Sequence, residues 1–299
     1  MTCLFTGLSV ALATPFHDDL SLDLDAFRRL VRHVVAGGAD AMVVLGTTGE
    51  SPTVQDAERD VLVSACLEEA RGRAVIVGAG SNDTRRAAAL VRRAQVLGVD
   101  GALVVTPYYN KPTPRGLVQH FSAVADAAPG LPIIVYNVPG RTGLNLTPAV
   151  LARLWENPQI VAVKESTANL AQIGEIARTL PEGKTLLSGD DNMALPSIAV
   201  GASGLVSVLG NLVPAGAKAL VDAARLGDLQ EARRLHCRFL PLMDALFMES
   251  NPVPLKAGLQ LMGISGGALR PPLASAEPST VARMAETLRM AGVPVQGRA

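Results

Sequence analysis

The stretch Ile160-Val161-Ala162-Val163-Lys164-Glu165 runs through four apolar residues and stops at two charges. It is too short for a buried helix and has no polar–apolar alternation, so it reads as a strand buried on both faces. Seven more runs of the same character occur, at Leu8–Ala13, Ala41–Leu45, Ala74–Gly78, Ala102–Thr106, Ile133–Tyr136, Thr185–Ser188 and Gly204–Val208. Helix-like stretches separate them: Asp25–Ala36, Thr53–Ala70, Thr84–Leu97, Pro114–Ala127, Pro148–Trp155, Asn169–Leu180 and Asn192–Val200, with Pro214–Arg225 after the last run. Prolines at 114 and 148 suit a first helical turn, and Asp56 and Glu58 suit the positive end of a helix dipole. Eight such units, with no linker of Pro, Gly and Ser between halves, predict one α/β domain, a (β/α)8 TIM barrel. A doubly wound sheet is the alternative, but the first run ends Ala13-Thr14-Pro15-Phe16 and not in a glycine-rich nucleotide turn. Residues 1–226 are expected to form the barrel. Residues 227–299 are expected to form a helical extension packed on it, with helices at Leu229–Met248, Pro254–Leu261 and Thr280–Ala291 and a loop at Pro271-Pro272.

In such a barrel the chemistry sits at the downstream ends of the strands, and Lys164 lies at one. The chain has only five lysines among 27 basic residues, so a lysine closing an apolar strand is unusual here. Burial of an ammonium disfavours its charged form, and a neutral amine can add to a carbonyl to form a Schiff base. The plainer reading is a snorkelling or ion-paired lysine. Glu165 is a poor partner for it, because neighbours on a strand point to opposite faces. The three tyrosines, Tyr108, Tyr109 and Tyr136, also follow apolar runs.

Other rim motifs carry less information alone. Gly46-Thr47-Thr48-Gly49-Glu50-Ser51 follows the second run; its glycines and hydroxyls suit a carboxylate nest, or simply a turn with a capping hydroxyl. Gly78-Ala79-Gly80-Ser81-Asn82 reads as a tight turn. Arg141 suits bidentate capture of a carboxylate, or a surface position. Asp190 and Asp191, after the seventh run, argue against a phosphorylated substrate at the place where barrels often bind phosphate.

Composition narrows the function. Formal net charge is zero, with 48% hydrophobic and 3% aromatic residues, which gives no electrostatic case for nucleic acid or a membrane surface. The cysteines, Cys3, Cys66 and Cys237, form no disulfide framework or zinc spacing, and a reducing cytoplasm is expected. The N-terminus shows no signal-peptide pattern, and no run of about 20 apolar residues suggests a membrane span. The four histidines lack metal-ligand spacing. No metal and no cofactor are expected.

Taken together, Gly46–Ser51, Thr106-Pro107-Tyr108-Tyr109-Asn110-Lys111-Pro112, Tyr136-Asn137-Val138-Pro139, Arg141-Thr142-Gly143, Val163-Lys164-Glu165 and Ser188-Gly189-Asp190-Asp191 resemble the dihydrodipicolinate synthase family of pyruvate-dependent, Schiff-base-forming lyases. The resemblance runs in order along nearly the whole chain. It implies condensation of pyruvate with aspartate semialdehyde in lysine and diaminopimelate biosynthesis, with Lys164 forming the imine. It implies a proton relay of Tyr136, Thr47 and Tyr109, with Tyr109 serving a neighbouring subunit. Thr47 and Thr48 would hold the pyruvate carboxylate, Arg141 the semialdehyde carboxylate, and the carbonyls of Gly189 and Val206 would lie on the pocket wall. A homotetramer built from dimers is implied too. Tyr109 with Arg141 points to the synthase branch, against N-acetylneuraminate lyase or keto-deoxy-sugar aldolases. A catalytically inactive metabolite-binding barrel is the alternative of another class, and the intact lysine, tyrosine and threonine set weighs against it. Lysine-sensitive relatives hold lysine at an intersubunit cleft through a glutamate, histidines and an asparagine. Here the asparagine is kept as Asn82 and Tyr108 lies where the family lines the cleft, but Arg86 stands at the glutamate position and Asp56 and Arg59 at the histidine positions. Insensitivity, or weak sensitivity, to lysine is expected.

Overall fold

A computed structural model describes residues 5–296 of the chain. Cys3 and the outer ends of the two expected segments lie outside these residues. The strands are β1 (Gly7–Ala11), β2 (Ala41–Val44), β3 (Ala74–Gly78), β4 (Gly101–Val105), β5 (Ile133–Asn137), β6 (Ile160–Glu165), β7 (Thr185–Ser188) and β8 (Gly204–Ser207). They pair in parallel in chain order and β8 closes on β1, making the predicted barrel.

The period-2 geometry of strands explains why continuous apolar runs suit this fold. One set of side chains, including Ala11, Val43, Ile76, Leu103, Ile134, Ala162, Leu187 and Val206, packs inside the barrel. The intervening set, including Val10, Met42, Val44, Val104, Val135 and Val163, packs outward with the helices. Both faces are buried, so neither can be polar along most of its length.

The helices start where capping side chains end the extended backbone. Asp23 accepts the Ala26 N–H at 2.8 Å to open Leu24–Ala36. Asp83, Thr113, Asn169 and Asp228 cap Thr84–Val96, Pro114–Asp126, Leu170–Arg178 and Leu229–Ala245 in the same way. Each such cap contributes about 1 kcal/mol.

Two of the boundaries that differ from expectation have clear local reasons. Strand β1 stops at Ala11, because the Ala13 N–H turns to the Asn211 side chain (3.2 Å). The helix expected over Thr53–Ala70 starts at Asp56. Before it, Glu50 is left-handed (φ 51°), Ser51–Thr53 forms a 3-10 turn, and Gln55 and Glu58 make a capping box. Past the barrel, helix Leu229–Ala245 packs on Pro214–Arg225. Helix Val253–Leu261 is buried over Val253–Leu259. Among the described residues no helix is long and apolar enough to cross a membrane.

Candidate active site

Strand register builds the site. Val105 of β4 pairs with Tyr136 of β5, and Tyr136 pairs with Lys164 of β6. Residues 134 and 136 share one face of β5, and 162 and 164 share one face of β6. Ile134, Tyr136 and Ala162 belong to the barrel interior, so Lys164 points inward with them. It is 5% exposed and Tyr136 is 6% exposed. The Lys164 Nζ stands 4.1 Å from the centre of the Tyr136 ring.

Among the described residues Lys164 makes no ion pair and no hydrogen bond, whereas the other buried lysine, Lys256, is ion-paired to Glu50. Glu165 faces the other way. Its carboxylate accepts from Asn137 Nδ2 at 3.0 Å and from Gln172 Nε2 at 3.3 Å. Burial raises the Glu165 pKa, and the Asn137 hydrogen bond opposes that rise.

Gly189, just past β7, is there because nothing larger fits. A Cβ on it would stand 1.8 Å from Ser166 Oγ and 2.9 Å from Lys164 Cε. Val206 of β8 is buried in the same interior layer.

Thr47 and Thr48 sit in the turn after β2. The Gly49 and Glu50 N–H groups close turn bonds to the Gly46 and Thr47 carbonyls, both 3.1 Å. Among the described residues the N–H groups of Thr47 and Thr48 donate to no protein acceptor. Two neighbouring amide donors are thus left without a protein acceptor on this turn, and such donors can bind an anion. Thr48 is 2% exposed, and its hydroxyl accepts from Asn251 Nδ2 at 3.0 Å.

Arg141 lies on the exposed rim in the short helical turn Pro139–Thr142. It donates to the Asn251 carbonyl at 3.1 Å. A cleft of about 570 Å³ has Thr47, Val105, Arg141, Tyr108 and Asn251 among its lining residues and extends to Arg59 and Arg86. Lys164, Tyr136 and Tyr109 are not on that lining. Tyr109 is 88% exposed and left-handed (φ 70°), whereas Lys164 is buried.

The acids after β7 split in role. Asp191 is buried, and its carboxylate accepts from Ser207 Oγ and from the N–H groups of Val208 (2.9 Å) and Leu209 (3.0 Å). These amides, after β8, are the kind that bind phosphate in other barrels. Here the Asp191 side chain already accepts from them. Burial raises the pKa of Asp190, and the charge on Lys164 opposes that rise.

Two buried polar residues near the site, Asn251 and Lys256, were not singled out from the sequence, and Glu50 appeared only as part of the Gly46–Ser51 motif. Lys256 carried the same signal as Lys164, an ammonium inside the apolar run Val253-Pro254-Leu255-Lys256-Ala257.

Fold and site together define a (β/α)8 barrel with a lysine-centred polar site at the downstream rim of its strands. Residues 4–291 match the sequence profile of the dihydrodipicolinate synthetase family, and the chain belongs to that family. A 4-hydroxy-tetrahydrodipicolinate synthase of Methanospirillum hungatei is 43% identical over 289 residues, which is 95% of this chain and 99% of that one. The crystal structure of dihydrodipicolinate synthase from Aquifex aeolicus superposes with a TM-score of 0.95 at 40% identity, covering 98% of this chain and all of that one (100%). A structure described as the first monomeric dihydrodipicolinate synthase variant matches with a TM-score of 0.94 at 41% identity over 97% of each chain.

Proposed function

We propose that this chain condenses pyruvate with L-aspartate 4-semialdehyde to give 4-hydroxy-tetrahydrodipicolinate, through an imine on Lys164. The observation that carries the mechanism is the buried, unpaired Lys164 amine 4.1 Å from the Tyr136 ring. The full-length similarity to synthases of that name supports the substrates.

In this reading the Lys164 amine adds to the pyruvate ketone and water leaves, giving the imine. A methyl proton departs and its electron pair moves toward the imine nitrogen, giving an enamine. The enamine carbon adds to the semialdehyde carbonyl, forming the new C–C bond and a hydroxyl and restoring the iminium. The amine of the semialdehyde adds to the iminium carbon, and the bond to Lys164 breaks. Tyr136, with Thr47 and Tyr109, passes the protons. The Thr47 and Thr48 amides hold the pyruvate carboxylate, Arg141 holds that of the second substrate, and the Gly189 and Val206 carbonyls shape the wall.

Tyr109 reaches a neighbour's site in this account, so the working form is a homo-oligomer, a tetramer of paired dimers, in the cytoplasm. Its exposure in a single chain supports that role. Sedimentation should show an assembly at assay concentration, and a fully active monomer would contradict it. For the substrates, turnover should be measured with aspartate semialdehyde and, separately, with sugar-derived aldehydes. Product formation only from the semialdehyde is expected; preference for a sugar aldehyde would move the chain to another branch.

A further inference from the structure

Five side chains, Lys256, Glu50, Arg270, Phe16 and Glu58, tie the segment after helix Leu229–Ala245 back to the turn after β2 and the start of the next helix. Lys256 is fully buried, and its ammonium pairs with Glu50, whose side chain is 1% exposed. The second Glu50 oxygen accepts the Arg270 N–H at 3.1 Å. Lys256 and Arg270 both stack on the buried Phe16 ring, at 4.2 and 4.1 Å from its centre. Arg270 also donates to the Thr53 carbonyl at 2.8 Å and to Glu58. Glu50 itself is left-handed at φ 51°, a conformation a residue with a side chain adopts only when its surroundings hold it.

A buried ion pair is a poor way to gain stability, since apolar replacements of both partners are often as stable. It is a good way to fix a geometry, because both charges lose heavily if they separate. Glu50 is three residues from Thr47 and two from Thr48, on the same tight turn. We infer that the Lys256–Glu50 pair is a positioning device: it sets where the Thr47 and Thr48 amides stand, and so sets the affinity for the carboxylate of the first substrate. This rests on the carboxylate role proposed above for those amides. The C-terminal helices then belong to the site and are more than a cover on the barrel.

Two variants test it, with the rate of borohydride trapping measured as a function of pyruvate. Lys256→Met with Glu50→Gln removes both charges without stranding one. Glu50→Asp keeps the pair but shortens the tether by one methylene, which draws the turn toward Lys256. Each should raise the half-saturating pyruvate concentration by about tenfold, the scale of loss expected when a binding group is misplaced by a fraction of an ångström. The melting temperature of Glu50→Asp and the trapping rate at saturating pyruvate should stay near those of the parent. A folded Glu50→Asp with the parent's half-saturation would overturn the inference while leaving the imine chemistry standing. A parent that is not trapped at all would overturn both.

Discussion

Arg86 clasps Asp56 with both ends of its guanidinium, one of the two contacts being NH1 to Oδ2 at 2.9 Å. The Asp56 pKa is lowered, chiefly by that hydrogen bond. By the resemblance, Arg86 stands at the position of the glutamate that holds lysine in sensitive relatives, and here it already engages the Asp56 carboxylate. Arg59, at a histidine position, is buried and donates to the Gly78 carbonyl at 2.6 Å. An incoming ammonium meets two guanidinium groups and a carboxylate already in use, and like charges in a shared site repel. Millimolar lysine should leave the steady-state rate nearly unchanged. Strong inhibition at that concentration would contradict the charge argument.

Arg141 should serve the second substrate more than the first. Its guanidinium is on the rim, and among the described residues it donates to the Asn251 carbonyl. Arg141→Ala should raise the KM for the semialdehyde by about 10- to 100-fold, the effect of losing a charge-assisted hydrogen-bonded pair. Imine trapping with pyruvate should persist. Equal loss of trapping would give the residue a more general role.

The barrel was legible because its strands need continuous apolar runs, and the outward face of Val163 and the inward face of Ala162 are both buried. Lys164 was legible for the opposite reason: it breaks such a run. Asn251 was not legible. It is a polar residue in the polar turn Glu249-Ser250-Asn251, and only the fold brings it across 203 residues to Thr48. Glu50 and Lys256 are 206 residues apart, and their pairing was not legible either. Short-range patterns report which face a residue occupies; they do not report a long-range polar partner. Tyr109 shows the converse, a residue implied by resemblance that a single chain leaves exposed.

His120 should make the fold acid-sensitive. It is 4% exposed, its Nδ1 meets Thr84 Oγ1 at 2.9 Å, and burial pulls its pKa down from 6.5 to about 4. Unfolded, it takes up a proton near 6.5; folded, it resists protonation until about 4. Its neutral form therefore contributes full stability above the unfolded value, and stability falls as pH drops through the window between the two. The loss reaches at most about 3 kcal/mol. Denaturant unfolding at pH 7 and pH 4.5 should show a smaller difference for His120→Gln than for the parent. An identical difference in both proteins would assign the acid sensitivity elsewhere.

In the proposed mechanism Lys164 is the amine that captures pyruvate. The chain offers five lysines, and their surroundings differ. Lys184 is held by the Ile160 carbonyl at 2.6 Å, Lys218 by Asp222 at 2.6 Å, and Lys256 by Glu50, while Lys111 is exposed. Only Lys164 is both buried and unpaired among the described residues. The direct measurement is reduction with borohydride in the presence of pyruvate, followed by peptide mass analysis. One added reduced pyruvyl group is expected on Lys164, and Lys164→Ala should lose it together with most of the turnover. Labelling of Lys111, Lys184 or Lys256 in place of Lys164, or an undiminished adduct in Lys164→Ala, would contradict it.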